Sequence, residues 1–125
     1  MFVINNDKSI FITRGDVGII EVSAMKADDE NYIFQPDDIV RFRIITKSHH
    51  DQILLQKDAN AIESASETVS IFLTKEDTKI GSIINKPIDY WYEIELNPDT
   101  NPQTIIGYDS AGPKIFRLFP EGVDA

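Results

Sequence analysis

The sequence predicts an all-β domain, an antiparallel sandwich or barrel, and three observations carry that prediction. The segment Ile88–Leu96 alternates strictly: Ile88, Tyr90, Tyr92, Ile94 and Leu96 fall on one side, and Asp89, Trp91, Glu93 and Glu95 on the other. Successive strand side chains face opposite sides of a sheet, so this is a strand with one apolar and one mostly acidic face. Short apolar segments of the same kind recur along the chain, separated by clusters of Pro, Gly, Asn and Asp. Only one short stretch, near 75–80, carries helix signals.

Taken in order, residues 9–13 form a short apolar strand that ends at Arg14-Gly15-Asp16. Residues 17–25 follow, with Ile20, Val22 and Ala24 on one face, and 26–31 is an Asp-rich turn. An apolar run at Tyr32-Ile33-Phe34 is broken by Gln35-Pro36-Asp37-Asp38, because proline fixes φ and offers no ladder donor. Residues 39–46 place Val40, Phe42 and Ile44 inward and Arg41 and Arg43 outward. A polar turn over 47–51 leads to a short strand at 52–57. Residues 58–66 are polar and rich in Ala and Ser, which reads as a loop. Residues 67–73 alternate through Val69, Ile71 and Leu73. Thr74 then suits the start of a helix of barely two turns, with acids in its first turn and Gly81 as its stop. After Ile88–Leu96, the cluster Asn97-Pro98-Asp99-Thr100-Asn101-Pro102 is a turn that folds 103–108 back as a hairpin. A turn at 109–113 precedes a last strand, Lys114–Phe119. The expected core is Phe42, Phe72, Tyr90, Tyr92, Ile94 and Ile115, with Trp91 a further candidate.

Composition bounds the function. The chain has 125 residues, the size of one domain (1–125), with 42% hydrophobic and 26% charged residues, as a globular chain has. There are no cysteines, so disulfides and thiol chemistry are excluded. The net charge of −9 disfavours nucleic acid and anionic membrane surfaces, both of which need basic side chains. The first residues carry no basic flank and too short an apolar run for a signal peptide.

Four groups of residues invite a functional reading, and each has a plainer one. Arg14-Gly15-Asp16 is the cell-adhesion tripeptide, but between strands it reads first as a turn. Asp28-Asp29-Glu30-Asn31 gathers oxygens that suit a hard cation, yet lacks the spacing and glycine of a calcium loop. Asp37, Asp38 and Asp99 join such a site only if the fold gathers them. His49-His50 with Asp51 resembles a metal or acid–base pair, but neighbours on an extended chain point apart. Glu93 and Glu95 share a strand face about 7 Å apart. Carboxylate pairs of glycosidases have similar spacing, but acids alternating on a solvated sheet face are routine. No phosphate-binding glycine loop and no Ser–His–Asp arrangement can be drawn. The expectation is therefore a protein that is not an enzyme, with no catalytic, cofactor-binding or metal-binding residues.

Three segments together carry a family resemblance. They are Ile10-Phe11-Ile12-Thr13-Arg14-Gly15-Asp16, then Asp37-Asp38-Ile39-Val40-Arg41-Phe42-Arg43-Ile44, then Tyr90-Trp91-Tyr92-Glu93-Ile94-Glu95-Leu96 leading through Thr104-Ile105-Ile106 to Ile115-Phe116-Arg117-Leu118-Phe119-Pro120-Glu121-Gly122. Their order resembles the immunoglobulin-like domain of tailed-phage and prophage structural proteins, the type found at the N-terminus of baseplate upper proteins. Asp77-Thr78 fits that pattern's helical turn, and Asp37 stands where the pattern usually has glycine. The resemblance implies an immunoglobulin-like antiparallel β-sandwich in a tail or baseplate-associated module of the virion, made in the bacterial cytoplasm. Such a module acts without catalysis through contacts with other virion proteins, with a homo-oligomer as an open alternative. The competing expectation is a carbohydrate-binding module in which Trp91, Tyr90 and Tyr92 stack on sugars, assisted by Asp28-Asp29-Glu30 or calcium held there.

Overall fold

The structure, a computed structural model, describes residues 1–47, 52–60 and 64–122. Among these residues nine strands form: β1 (Phe2–Ile4), β2 (Ile10–Thr13), β3 (Gly18–Val22), β4 (Val40–Ile45), β5 (Ile53–Ala59), β6 (Val69–Leu73), β7 (Ile88–Leu96), β8 (Gln103–Ile106) and β9 (Lys114–Phe119). The large sheet runs β1-β2-β9-β7-β4-β5, and β8 pairs with β7 beyond the end of β9. The second sheet holds only β3 and β6. All pairings are antiparallel except β2 with β9, which run parallel.

This is an all-β sandwich of mostly antiparallel strands. β9-β7-β4-β5 follow the order of the G, F, C and C′ strands of variable-type domains, and β3 and β6 take the places of B and E. The inner residues of both sheets meet in one apolar core. Ile20, Val22, Val69, Ile71 and Leu73 come from the small sheet, and Ile10, Ile12, Val40, Phe42, Ile44, Ile94, Phe116 and Leu118 from the large one. At its centre the Phe42 ring lies 5.7 Å from Tyr92 and 6.3 Å from Phe116. Tyr92 is buried, and its hydroxyl donates to the backbone carbonyl of Lys8, which gives the buried phenol its partner.

The two-turn helix expected after residue 74 is a single turn. Its start is reciprocally capped. The Asp77 amide donates to Thr74 Oγ1 at 3.2 Å, and the Thr74 amide donates to Asp77 Oδ2 at 2.9 Å. The turn closes by Thr78, so Gly81, at φ 66°, lies beyond it and does not serve as the expected helix stop.

Several core assignments need correction. Phe72 is 51% exposed, because it neighbours Ile71 and Leu73 and must therefore face the other way. Ile115 and Trp91 are half-buried on the outer face of the large sheet, as partners in register. Phe34 and Phe116 are fully buried and belong in the core. β5 continues to Ala59, into the stretch read as a loop, because Asp58 pairs in register with Arg41. β1 was not expected at all.

Candidate functional site

The outer face of the large sheet carries Glu93 and Glu95 together with Asp89, Arg41, Arg43 and Arg117. Cross-strand neighbours there are Ile45, Trp91 and Ile115 in one row, Arg43 and Glu93 in the next, and Arg41 and Glu95 beyond. Each acid on the β7 outer face is met by an arginine. Asp89 takes two bonds from Arg117, at 2.6 and 3.1 Å. Arg43 lies 3.5 Å from Glu93 and 3.3 Å from Glu95. Arg41 forks to Asp58 and to Asp99, its four bonds running from 2.8 to 3.1 Å. These hydrogen bonds hold the Asp89 and Asp99 carboxyls below the usual range and push the Arg41 guanidinium up. The face that reads as acidic along one strand is thus a lattice of opposite charges across several. Glu93 and Glu95 share one arginine, and both acids come from the same strand.

One aromatic corner interrupts this lattice. Trp91 meets Tyr108 edge-on at 6.4 Å, beside a cavity of about 50 Å³ that Glu93, Pro113 and Lys114 also line. Lys114 is fixed by Asp109 at 2.8 Å. Tyr90 and Tyr92 cannot join Trp91 in one stacking platform, because they lie on the opposite face of the strand and Tyr92 is only 3% exposed.

The Arg14-Gly15-Asp16 turn is tied down along its length. Arg14 donates to Glu121 at 2.6 Å and to the Gly81 carbonyl at 2.8 Å. Gly15, at φ 87°, donates its amide to Thr78 Oγ1 at 2.9 Å, and that hydroxyl donates to the Asp16 carbonyl at 2.8 Å. Asp16 pairs with the N-terminal amine. The arginine and aspartate of this tripeptide are engaged by the fold, as the turn reading requires.

Of the remaining acids, Asp38 sits in a node. It accepts from the Tyr32 hydroxyl at 2.7 Å, the Gln35 amide at 2.9 Å and Asn97 Nδ2 at 3.0 Å. Asn97 in turn bonds the backbone of Ile39 through both its amide and its Oδ1. Burial pushes the Asp38 carboxyl up, but its hydrogen-bond donors outweigh that and hold it below the ordinary value. Asp28 and Asp29 stay exposed on the 25–31 turn, whereas Asp99 is held by Arg41. No group of three or more metal-binding side chains forms among the described residues. His49, His50 and Asp51 lie outside those residues.

Sequence reasoning missed two surfaces. The first is the outer face of the two-stranded sheet, where Ile19 lies opposite Phe72 in register, 50% and 51% exposed, with Val17 close in sequence. The second is a groove of about 660 Å³ between the far end of β3 and β8. Its lining includes Glu21, Ala24, Met25, Leu96, Ile105 and Ile106. The alternation of Ile19 and Glu21 against Ile20 and Val22 could have signalled the first. Nothing local signals the second.

The fold defines a class, the mostly antiparallel β-sandwich. No family model, curated protein or solved structure matches the chain, so the particular kind of sandwich is argued from its surfaces. Among the described residues no helix is long and apolar enough to cross a membrane.

Proposed function

We propose that this chain is a non-enzymatic structural module of a tailed-phage or prophage particle, tail or baseplate-associated, that works through protein–protein contacts. The observation that carries the contact reading is the incomplete second sheet. It has two strands, both of them edges among the described residues, and an outer face bearing the half-exposed Ile19–Phe72 pair. Open edges and clustered exposed apolar side chains are the features with which β proteins pair with partners. The phage setting rests on the three-segment resemblance. The ion-paired large sheet adds no paired free carboxylates with which to argue for hydrolysis. Native mass spectrometry with the proteins encoded beside it tests the proposal. A complex that is lost in Phe72→Ser supports it. A strict monomer at high concentration with no affinity for those neighbours overturns it.

A second reading, a carbohydrate-binding module, is favoured by the Trp91–Tyr108 corner with Glu93 and Lys114 beside it. Sugars offer C–H faces to aromatic rings and hydroxyls to charged side chains. The chain has a single tryptophan, so its fluorescence reports this corner alone. A glycan-array signal lost in Trp91→Ala supports the second reading. An emission spectrum unmoved by every glycan removes it.

A further inference from the structure

The groove beside β8 has a fixed wall and an apolar floor. Residues 23–27, where the chain leaves β3, form the wall. They are held by residues 30–32: the Tyr32 amide donates to the Ala24 carbonyl and the Lys26 amide to the Glu30 carbonyl, both at 2.8 Å. The floor is the flank of the core. Leu96 is buried there, and Ala24, Tyr32, Ile105 and Ile106 are partly buried against the core. Met25 stands exposed on the wall, an unbranched side chain that adapts to irregular apolar shapes. The volume of about 660 Å³ falls in the range of small-molecule sites.

The charged side chains of the lining are Lys8, Lys26 and Glu21. Lys26 is met by Glu30 at 3.7 Å. Among the described residues, neither Lys8 nor Glu21 has an ion-pair partner. Lys8 holds a left-handed position, φ 71°, in the turn that joins β1 to β2. Glycine or asparagine takes that conformation more readily than lysine does. What the fold uses of Lys8 is backbone. Its amide donates to the Asn5 carbonyl at 3.0 Å, and its carbonyl accepts from the buried Tyr92 hydroxyl. Glycine would supply both groups, so the turn does not need the lysine side chain. An exposed lysine is ordinary on a turn, but this one lines a groove with an apolar floor and meets no carboxylate there.

From this juxtaposition we infer that the groove binds a small amphipathic anion, free in solution: an apolar chain bearing one carboxylate. The carboxylate lies at the Lys8 ammonium, and the apolar part covers Ala24, Leu96, Ile105 and Ile106. Burial of the chain supplies most of the affinity, and the ammonium selects the head group. One unpaired ammonium matches one negative charge. The lining has no arginine fork to grip a phosphate, and the net charge of −9 repels polyanions. Glu21 opposes the anion and limits its affinity. The inference goes beyond the protein-contact reading and does not depend on it.

The test is a titration of the isotopically labelled full chain with dodecanoate below its micelle concentration, followed by amide chemical shifts. Saturable shifts at Lys8, 23–27 and 103–106 are expected. The deciding variant is Lys8→Gly. Its thermal midpoint should stay level or rise, because glycine accepts the left-handed backbone, while its affinity for dodecanoate falls about tenfold. Glu21→Gln should bind several-fold more tightly. Dodecanol and dodecyltrimethylammonium should bind far more weakly than dodecanoate. Phe72→Ser should leave the titration unchanged, which separates this site from the proposed contact face. Equal binding of dodecanoate by Lys8→Gly, equal binding of the three amphiphiles, shifts centred on Ile19 and Phe72, or no saturation overturn the inference. So does cosedimentation with phosphatidylcholine vesicles carrying fatty acid when monomeric dodecanoate moves no groove amide, since the ligand is then a bilayer surface. A lost protein contact with the dodecanoate shifts intact would remove the contact reading and leave this one standing.

Discussion

Asp38 lies between two loops with three donors on its carboxylate, and its position makes a pH prediction. Its carboxyl is held below its ordinary value of 3.8, as are those of Asp77 and Asp89. For Asp77, burial opposes the shift, and the bonds from Lys57 and Thr74 prevail. A carboxyl depressed by folding contributes stability above its unfolded value, and that contribution is lost as pH falls through the folded one. Denaturant midpoints should therefore drop below about pH 4. Asp38→Asn should cost about 1–3 kcal/mol at neutral pH and flatten part of that acid limb. Tyr32 works in the opposite direction. Its raised phenol contributes stability below pH 10 that is lost as pH rises towards about 12, so the alkaline limb should ease in Tyr32→Phe. The neighbouring aromatic positions divide by face. Phe42→Ala removes the centre of the core and should cost about 3–5 kcal/mol in a denaturant titration. Phe72→Ser, on the exposed face, should stay within about 0.5 kcal/mol. The sequence pattern placed Phe42 correctly and Phe72 wrongly, because an aromatic residue invites a core assignment even where the period of two forbids it.

At the scale of elements, the turn at 13–16 depends on a residue some sixty positions away. Thr78 is fully buried, and its hydroxyl holds both the Gly15 amide and the Asp16 carbonyl. Thr78→Val leaves those two backbone groups unpaired and should cost about 1–3 kcal/mol in thermal or chemical unfolding. Gly15→Ala forces a left-handed backbone on a residue with a Cβ and should cost about 1–2 kcal/mol. Because Arg14 and Asp16 are both engaged, the protein coated on a surface should not support adhesion of integrin-bearing cells above background. Adhesion abolished by Asp16→Glu would overturn this. The strands were legible because their burial follows local alternation. The end of β5 was not. Its Asp58 looks like a loop residue until Arg41 stands opposite it.

For the whole molecule, charge is unevenly distributed. The large sheet balances its acids with Arg41, Arg43 and Arg117, while Asp28, Asp29 and Asp37 remain exposed on the loops that link the two sheets. Association with cationic partners should therefore weaken with salt. Replacing the loop aspartates should reduce that salt dependence more than Glu93→Gln or Glu95→Gln does, as measured by the slope of affinity against ionic strength. Self-association, if carried by the Ile19–Phe72 face, should persist or strengthen in salt and vanish in Phe72→Ser, which sedimentation at several ionic strengths distinguishes.

The sequence by itself determined the class of fold, most of the strands and which side of Ile88–Leu96 faces the core, since all of these follow from a period of two over a few residues. It also determined that cysteine chemistry plays no part. The tertiary structure alone decided that the acidic side of that strand is neutralised by arginines from β4 and β9, and that β2 joins β9 in parallel. It alone left, among the described residues, a second sheet of two strands and a groove between its far end and β8. Ion pairs, sheet order and open edges depend on residues distant in the chain meeting in space, and no local pattern encodes that meeting.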